Sequence, residues 1–175
     1  MRALSLVVLL ASLPSLAQGE AWPGEQRRFH LGLGLRGVGG AMFQRGATFL
    51  LLQSQAYVVG ELRVGQHHAV RLQLAANAGW PGAFEGETNL SFRFGLTPRV
   101  MLGVGVFGVW GLFSLRGGVE VPLALRFGGR RAHELSLALR VSPGAFNNVT
   151  FVWWDFRAQA FALSVEGALG YAFFF

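Results

Sequence analysis

Few residues in this chain are of types that do chemistry, and their spacing limits what each can do. It has no cysteine, which excludes disulfide scaffolds, thiolate metal sites and thiol nucleophiles. His133-Glu134-Leu135-Ser136 contains the residue types of a hydrolytic site. On a strand, however, successive side chains alternate faces, so His133 and Ser136 point apart. Gly103-Val104-Gly105-Val106-Phe107-Gly108 matches the GxGxxG string of a dinucleotide site, but no helical pattern accompanies it and no acidic residue follows about 20 positions on. Relief of crowding is the better reason for these glycines. His67-His68 has metal-ligand chemistry, but a pair without further ligands reads as a polar turn. His30 reads as a hydrogen-bonded filler. No catalytic, cofactor or metal residue is predicted.

The charged residues are 14% of a chain that is 52% hydrophobic, and they fall at regular places. From Phe29 the apolar residues recur every second position: Phe29, Leu31, Leu33 and Leu35 oppose His30, Gly32, Gly34 and Arg36. This is strand periodicity. Leu50, Leu52, Ala56, Val58, Leu62 and Val64 oppose Gln53, Gln55, Tyr57, Glu61 and Arg63, and Val70, Leu72 and Leu74 oppose Arg71, Gln73 and Asn77. The alternation returns with Leu90, Phe92, Phe94 and Leu96 against Ser91 and Arg93, with Leu115 to Phe127 against Arg116, Glu120 and Arg126, with Leu135 to Val141 against Glu134 and Arg140, and with Phe161 to Phe175 against Ser164 and Glu166. Val100 to Trp110 is apolar on both faces and reads as a strand from its valines, glycines and length. The reading predicts eight strands, most of about 10 residues.

The connectors form two alternating sets. Gly65–His67, Thr97–Arg99 and Gly128–Arg131 are tight turns, whereas Ala41–Ala47, Pro81–Thr88 and Ser142–Thr150 are longer, with Gly111–Ser114 a short fourth. Strands alternating between such ends form a meander. Periodicity fails from Phe151 to Gln159, which suggests a bulge or an extension above the sheet.

The start of the chain belongs to export. Arg2 supplies a positive start, Ala3–Leu13 an apolar stretch and Ser15-Leu16-Ala17 a small-x-small cleavage site, so residues 1–17 read as a signal peptide. The stretch is too short for a spanning helix of about 20 residues. Residues 18–27 form a short N-terminal segment and 28–175 the barrel. Export also argues against a nucleic-acid partner for the net charge of +6.

An alternating barrel is either soluble, with its apolar face inside, or embedded in lipid, with that face outside. The polar face here is rich in Gly and Ala, which suits a narrow lumen better than a solvated surface. The apolar face is nearly unbroken Leu, Val and Phe. Aromatics cluster near strand ends, with Trp80, Trp110 and Trp153 or Trp154 toward one rim and Phe29, Phe127, Phe173 and Phe175 toward the other. An all-β, eight-stranded antiparallel up-and-down transmembrane β-barrel is therefore expected. Its lumen would hold Arg36, Arg63, Arg71, Arg93, Arg116, Arg126 and Arg140 with Glu61, Glu120, Glu134 and Glu166. Such charges must pair or stay hydrated. Seven arginines against four glutamates would suit a gate or an anion-selective narrow pore; the alternative is a polar plug, because side chains nearly fill a barrel of this size. Leu51, Val59, Phe107, Val109 and Phe113 are apolar at inward positions, which suggests a hydrophobic pocket or lateral opening, or ordinary packing near one rim.

The ending Leu169-Gly170-Tyr171-Ala172-Phe173-Phe174-Phe175, with alternate aromatics and a terminal Phe, looks like the assembly signal of outer-membrane barrels. Over Arg28–Phe175 the pattern resembles the small bacterial outer-membrane β-barrel proteins, such as the OmpA membrane domain and OmpX. The resemblance implies a bacterial outer-membrane location, termini in the periplasm, longer loops outside the cell, outer-membrane lipids as surroundings, and delivery to the barrel-assembly machinery through Tyr171, Phe173 and Phe175. A monomer is expected. Members that deacylate lipid A carry a His-x-Ser spacing, which this chain lacks. A structural or envelope-maintenance role leads the functional readings, followed by a narrow channel or binding barrel for small or apolar solutes, and then by a lipid-modifying enzyme.

Overall fold

The structure, a computed structural model, describes residues 28–44, 47–64, 67–80, 84–111, 114–128, 132–147 and 159–175. The signal segment, the 18–27 segment, Phe113, Trp153 and Trp154, and the irregular stretch before Gln159 lie outside the described residues. Eight strands follow one another: β1 (Phe29–Gln44), β2 (Ala47–Val64), β3 (His68–Trp80), β4 (Phe84–Gly95), β5 (Val100–Gly111), β6 (Ser114–Phe127), β7 (His133–Asn147) and β8 (Gln159–Phe174). Each pairs antiparallel with the next, and β8 closes onto β1. Closure leaves no sheet edge with unpaired backbone groups.

The strands run from 12 residues in β4 to 18 in β2, longer than the expected 10 or so. The added length comes from stretches that the sequence places in connectors. Ala41–Gln44 pairs with Ala47–Leu50, Phe84–Thr88 pairs with Leu74–Ala78, and Ser142–Asn147 pairs with Gln159–Ser164. A backbone ladder does not require an apolar stripe, so pairing continues where the alternation of side chains fades. Two prolines mark the ladder's gaps. The β5–β6 pairing skips the positions opposite Pro122, and the β6–β7 pairing skips those opposite Pro143, because proline has no N–H to donate.

Three turns (β2–β3, β4–β5 and β6–β7) share one rim with the start of β1 and the end of β8. We call this the lower rim. Backbone bonds tie it together: Arg63 N–H donates to Arg28 O (2.8 Å), Gly95 N–H to His67 O (2.6 Å), Arg126 N–H to Arg99 O (2.7 Å) and Phe174 N–H to Ala132 O (2.7 Å). Inside, space is scarce. A Cβ on Gly34 would lie 2.2 Å from Tyr57 Cζ, and one on Gly103 would lie 2.6 Å from Arg93 Cδ. The inward glycines of the GxGxxG string thus make room for neighbouring side chains, and Gly108, on the outer face, meets nothing within 4 Å.

Candidate functional site

The strand period sends alternate side chains inward, and these form the site. Every described strand residue that is buried lies at an even position of β1, β6, β7 or β8 or at an odd position of β2 to β5. Among the described residues six arginines (Arg36, Arg71, Arg93, Arg116, Arg126, Arg140) and six glutamates (Glu61, Glu85, Glu87, Glu120, Glu134, Glu166) are buried there. Ion pairs join five of these arginines to all six glutamates.

The lower network is a closed square. Glu61 lies opposite Arg71 across β2–β3, and Arg126 lies opposite Glu134 across β6–β7. Arg71 reaches across the lumen and donates to both Glu134 oxygens at 2.6 Å and to Glu61 at 2.8 Å. Arg126 donates its Nε–H to Glu134 at 3.0 Å and an Nη–H to Glu61. The Phe174 ring supports both cations, 5.3 Å from the Arg71 guanidinium carbon and 5.0 Å from that of Arg126. Two cations and two anions make this layer neutral.

The upper network has three cations and four anions. Arg140 contacts Glu87 at 2.9 Å, Glu166 at 3.5 Å and Glu120 at 3.7 Å, with its guanidinium carbon 3.7 Å from the Phe107 ring centre. Arg36 meets Glu120 at 3.4 Å and Glu87 at 3.8 Å, and donates to Gln73 Oε1 at 3.1 Å. Arg116 pairs with Glu166, with Glu85 at 3.7 Å, and donates to Gln53 at 2.8 Å. Amide side chains complete the layer, Gln53 donating to Glu85 at 2.7 Å and Gln55 to Glu87 at 2.9 Å. Arg93, near the lower end of β4, brings the lumen as a whole to six charges of each sign but touches no carboxylate; its Nε–H donates to Ser91 Oγ at 3.2 Å and its Nη1 has no hydrogen-bond partner.

This balance corrects the sequence-based count of seven arginines against four glutamates. Arg63, the seventh, is only half-buried at the lower end of β2. Glu85 and Glu87 fall within Pro81–Thr88, which reads as a connector from the sequence; the structure places both in β4. The polar half of the pattern carried the missing signal: Glu85, Glu87, Asn89, Ser91 and Arg93 alternate without a break, and all five are buried. Among the described residues, the buried charges of the lumen thus number six of each sign.

The inward apolar residues do not gather into one pocket, nor do they sit at one rim. Leu51 packs with Val38, Ala138 and Ala168, whereas Val59 packs with Tyr57, Ala172 and Phe174 in the lower part. Phe107 lies against Arg140. Val109 is fully buried. Aromatic faces favour a guanidinium, which gives Phe107 and Phe174 a reason to sit among charges.

The outer face is the opposite in kind. Leu35 is 67% exposed, Leu137 57% and Leu169 65%, while inward Arg140 and Glu61 are 0% exposed. A protein in water would expose the charges and bury the leucines. The outward stripe of β6 from Leu115 to Phe127 rises about 30 Å when tilted by ~40° at ~3.3 Å per residue, matching the hydrocarbon thickness of a bilayer. Only lipid satisfies such a wall. This is a transmembrane β-barrel. Its lower belt carries exposed Phe29, Phe127, Phe173 and Phe175, and its upper belt Phe43, Phe84 and Trp110. The aromatics of the C-terminal motif, Tyr171, Phe173 and Phe175, all face outward from the last strand.

No protein-family model matches the chain, and no curated protein sequence matches it. Among solved structures, this barrel is similar to Neisserial surface protein A, with a TM-score of 0.45 and 9% identity over 82% of this chain and 96% of that one. It is also similar to the outer membrane protein AlkL determined in DMPC lipid bilayers, with a TM-score of 0.44 and 14% identity over 90% of this chain and 97% of that one. The outer-membrane OmpT of Vibrio cholerae is more distant, with a TM-score of 0.30 and 13% identity over 82% of this chain and 52% of that one.

The remaining chemistry-bearing residues of the barrel are dispersed. His133 is half-buried on the outer face, where Nδ1 lies 2.6 Å from the Tyr171 hydroxyl and the ring stacks on Phe127 at 5.5 Å. Ser136 faces the lumen, so the two share no site. His68 stacks on Phe92 at 5.6 Å at the lower rim, and His30 is half-buried near the same end.

Proposed function

We propose that this chain is a structural, envelope-maintaining barrel of a bacterial outer membrane whose lumen is closed by a charge-neutral plug. One observation carries the reading: six arginines and six glutamates are buried in the lumen, and ion pairs, several of them between facing walls, join five of those arginines to all six glutamates. A conducting pore needs a continuous path in which water or lining groups solvate the ion, and charge selectivity comes from rings of one sign along that path. Here each carboxylate is held by at least one guanidinium, and Phe107 and Phe174 fill space between them. The outward aromatics of β8 support recognition by the barrel-assembly machinery, and the leucine-rich wall supports residence among outer-membrane lipids as a monomer. The test is single-channel recording of the folded protein in planar bilayers. No reproducible conductance is expected from the wild type. A steady conductance that Arg140→Ala alters would refute the plug and favour a narrow channel.

A further inference from the structure

The charges outside the lumen are unevenly distributed. Of the chain's nine acidic residues, six are sealed in the lumen and the other three, Glu20, Glu25 and Asp155, lie outside the described residues. The described outer surface of the barrel therefore carries no acidic side chain, while Arg28, Arg99, His67 and His68 are exposed on the lower rim. Arg28 leads into β1, Arg99 closes the β4–β5 turn, and His67 and His68 open β3, so basic groups sit at several points around the circumference. Arg63 and His133 are half-buried at the same level.

These groups lie just past the lower aromatic belt. Arg28 precedes exposed Phe29, His68 stacks on Phe92, and His133 bonds Tyr171 and stacks on Phe127. Aromatics of this kind sit at headgroup depth, so the basic rim lies where phospholipid phosphates are. A guanidinium pairs well with a phosphate diester, and among the described residues of the rim no acidic side chain competes for it.

We infer that the lower rim holds an annulus of anionic phospholipid headgroups, making this barrel selective for negatively charged lipid in the leaflet that its lower rim contacts. The inference rests on the transmembrane reading. Distribution around the circumference fits an array of headgroups rather than one soluble anion. Each exposed arginine contributes roughly a fivefold preference at an anionic surface.

The test uses the full barrel folded into phosphatidylcholine vesicles with and without phosphatidylglycerol. Spin-labelled phosphatidylglycerol and phosphatidylcholine are compared by the fraction immobilised at the protein surface. The wild type is expected to prefer phosphatidylglycerol by about fivefold or more, with the preference collapsing at ~1 M salt, where the screening length falls to ~3 Å. Arg28→Ser/Arg99→Ser is expected to bring the ratio near one. Equal association of the two lipids with the wild type overturns the proposal, as does an unchanged ratio in the double variant. Inorganic phosphate at matched ionic strength is expected to leave the ratio unchanged; displacement would assign the rim to a soluble anion and overturn the lipid annulus. Gel mobility with and without boiling reports folding separately, so failure to insert counts against the transmembrane reading, not against lipid selectivity.

Discussion

Replacing Arg71 by methionine tests the plug at the lower square, where its guanidinium pairs with both Glu61 and Glu134. The substitution roughly keeps the length of the side chain and removes one charge from the lower square. Glu61 and Glu134 would then share Arg126 alone, two anions facing one cation where the walls exclude water. Each lost pair is worth about 4 kcal/mol at ~4 Å with an effective dielectric near 20, and Arg71 makes two such pairs. Relieved repulsion from Arg126 and recovered hydration of the guanidinium offset part of this, leaving a loss of about 3–5 kcal/mol. The assay is equilibrium urea unfolding of the barrel in lipid vesicles, followed by tryptophan fluorescence. Arg71→Met/Glu134→Gln restores the neutrality of the square and is expected to be less destabilised than Arg71→Met alone. A loss below about 1 kcal/mol for Arg71→Met would refute the reasoning, because it would mean the square is screened by water and the lumen is open.

Three further outcomes follow from the same geometry. Arg93→Met, which removes a buried guanidinium that touches no carboxylate, is expected to change stability by less than about 1 kcal/mol or to raise it, measured in the same unfolding experiment. Gly103→Val is expected to cost about 1–3 kcal/mol because its Cβ would meet Arg93 Cδ and the Phe92 carbonyl, whereas Gly108→Val, with nothing within 4 Å, stays within roughly 0.5 kcal/mol. Leu137→Arg, on the exposed wall of β7, is expected to cost about 2–4 kcal/mol in vesicles, read as a lower urea midpoint; an unchanged midpoint would mean that this wall does not face lipid.

The barrel was legible in the chain because strand periodicity is local. Leu135, Leu137 and Leu139 opposite Glu134, Ala138 and Arg140 specify a strand and two unlike faces without reference to any other segment. Strand ends were less legible. Phe84–Thr88 looks like a connector since its outward positions include Gly86 and Thr88, and its pairing with β3 is a property of the partner. Glu85 and Glu87 are therefore hard to place from the apolar stripe, though their own alternation with Asn89, Ser91 and Arg93 is visible in the sequence.

By itself, then, the sequence determined the strand count, the two faces and the content of most of the lumen, because each follows from side-chain alternation within single segments. Which charges meet was decided only by closure. Arg71 and Glu134 are 63 residues apart and Arg116 and Glu166 are 50 apart, and they come into contact because a closed eight-stranded ring sets opposite walls within a side chain's reach. Closure likewise decided the charge balance, the placement of Phe107 and Phe174 against guanidinium groups, and the dispersal of inward apolar residues that had suggested a pocket. These depend on the register of all eight strands together, a long-range quantity that no local pattern encodes.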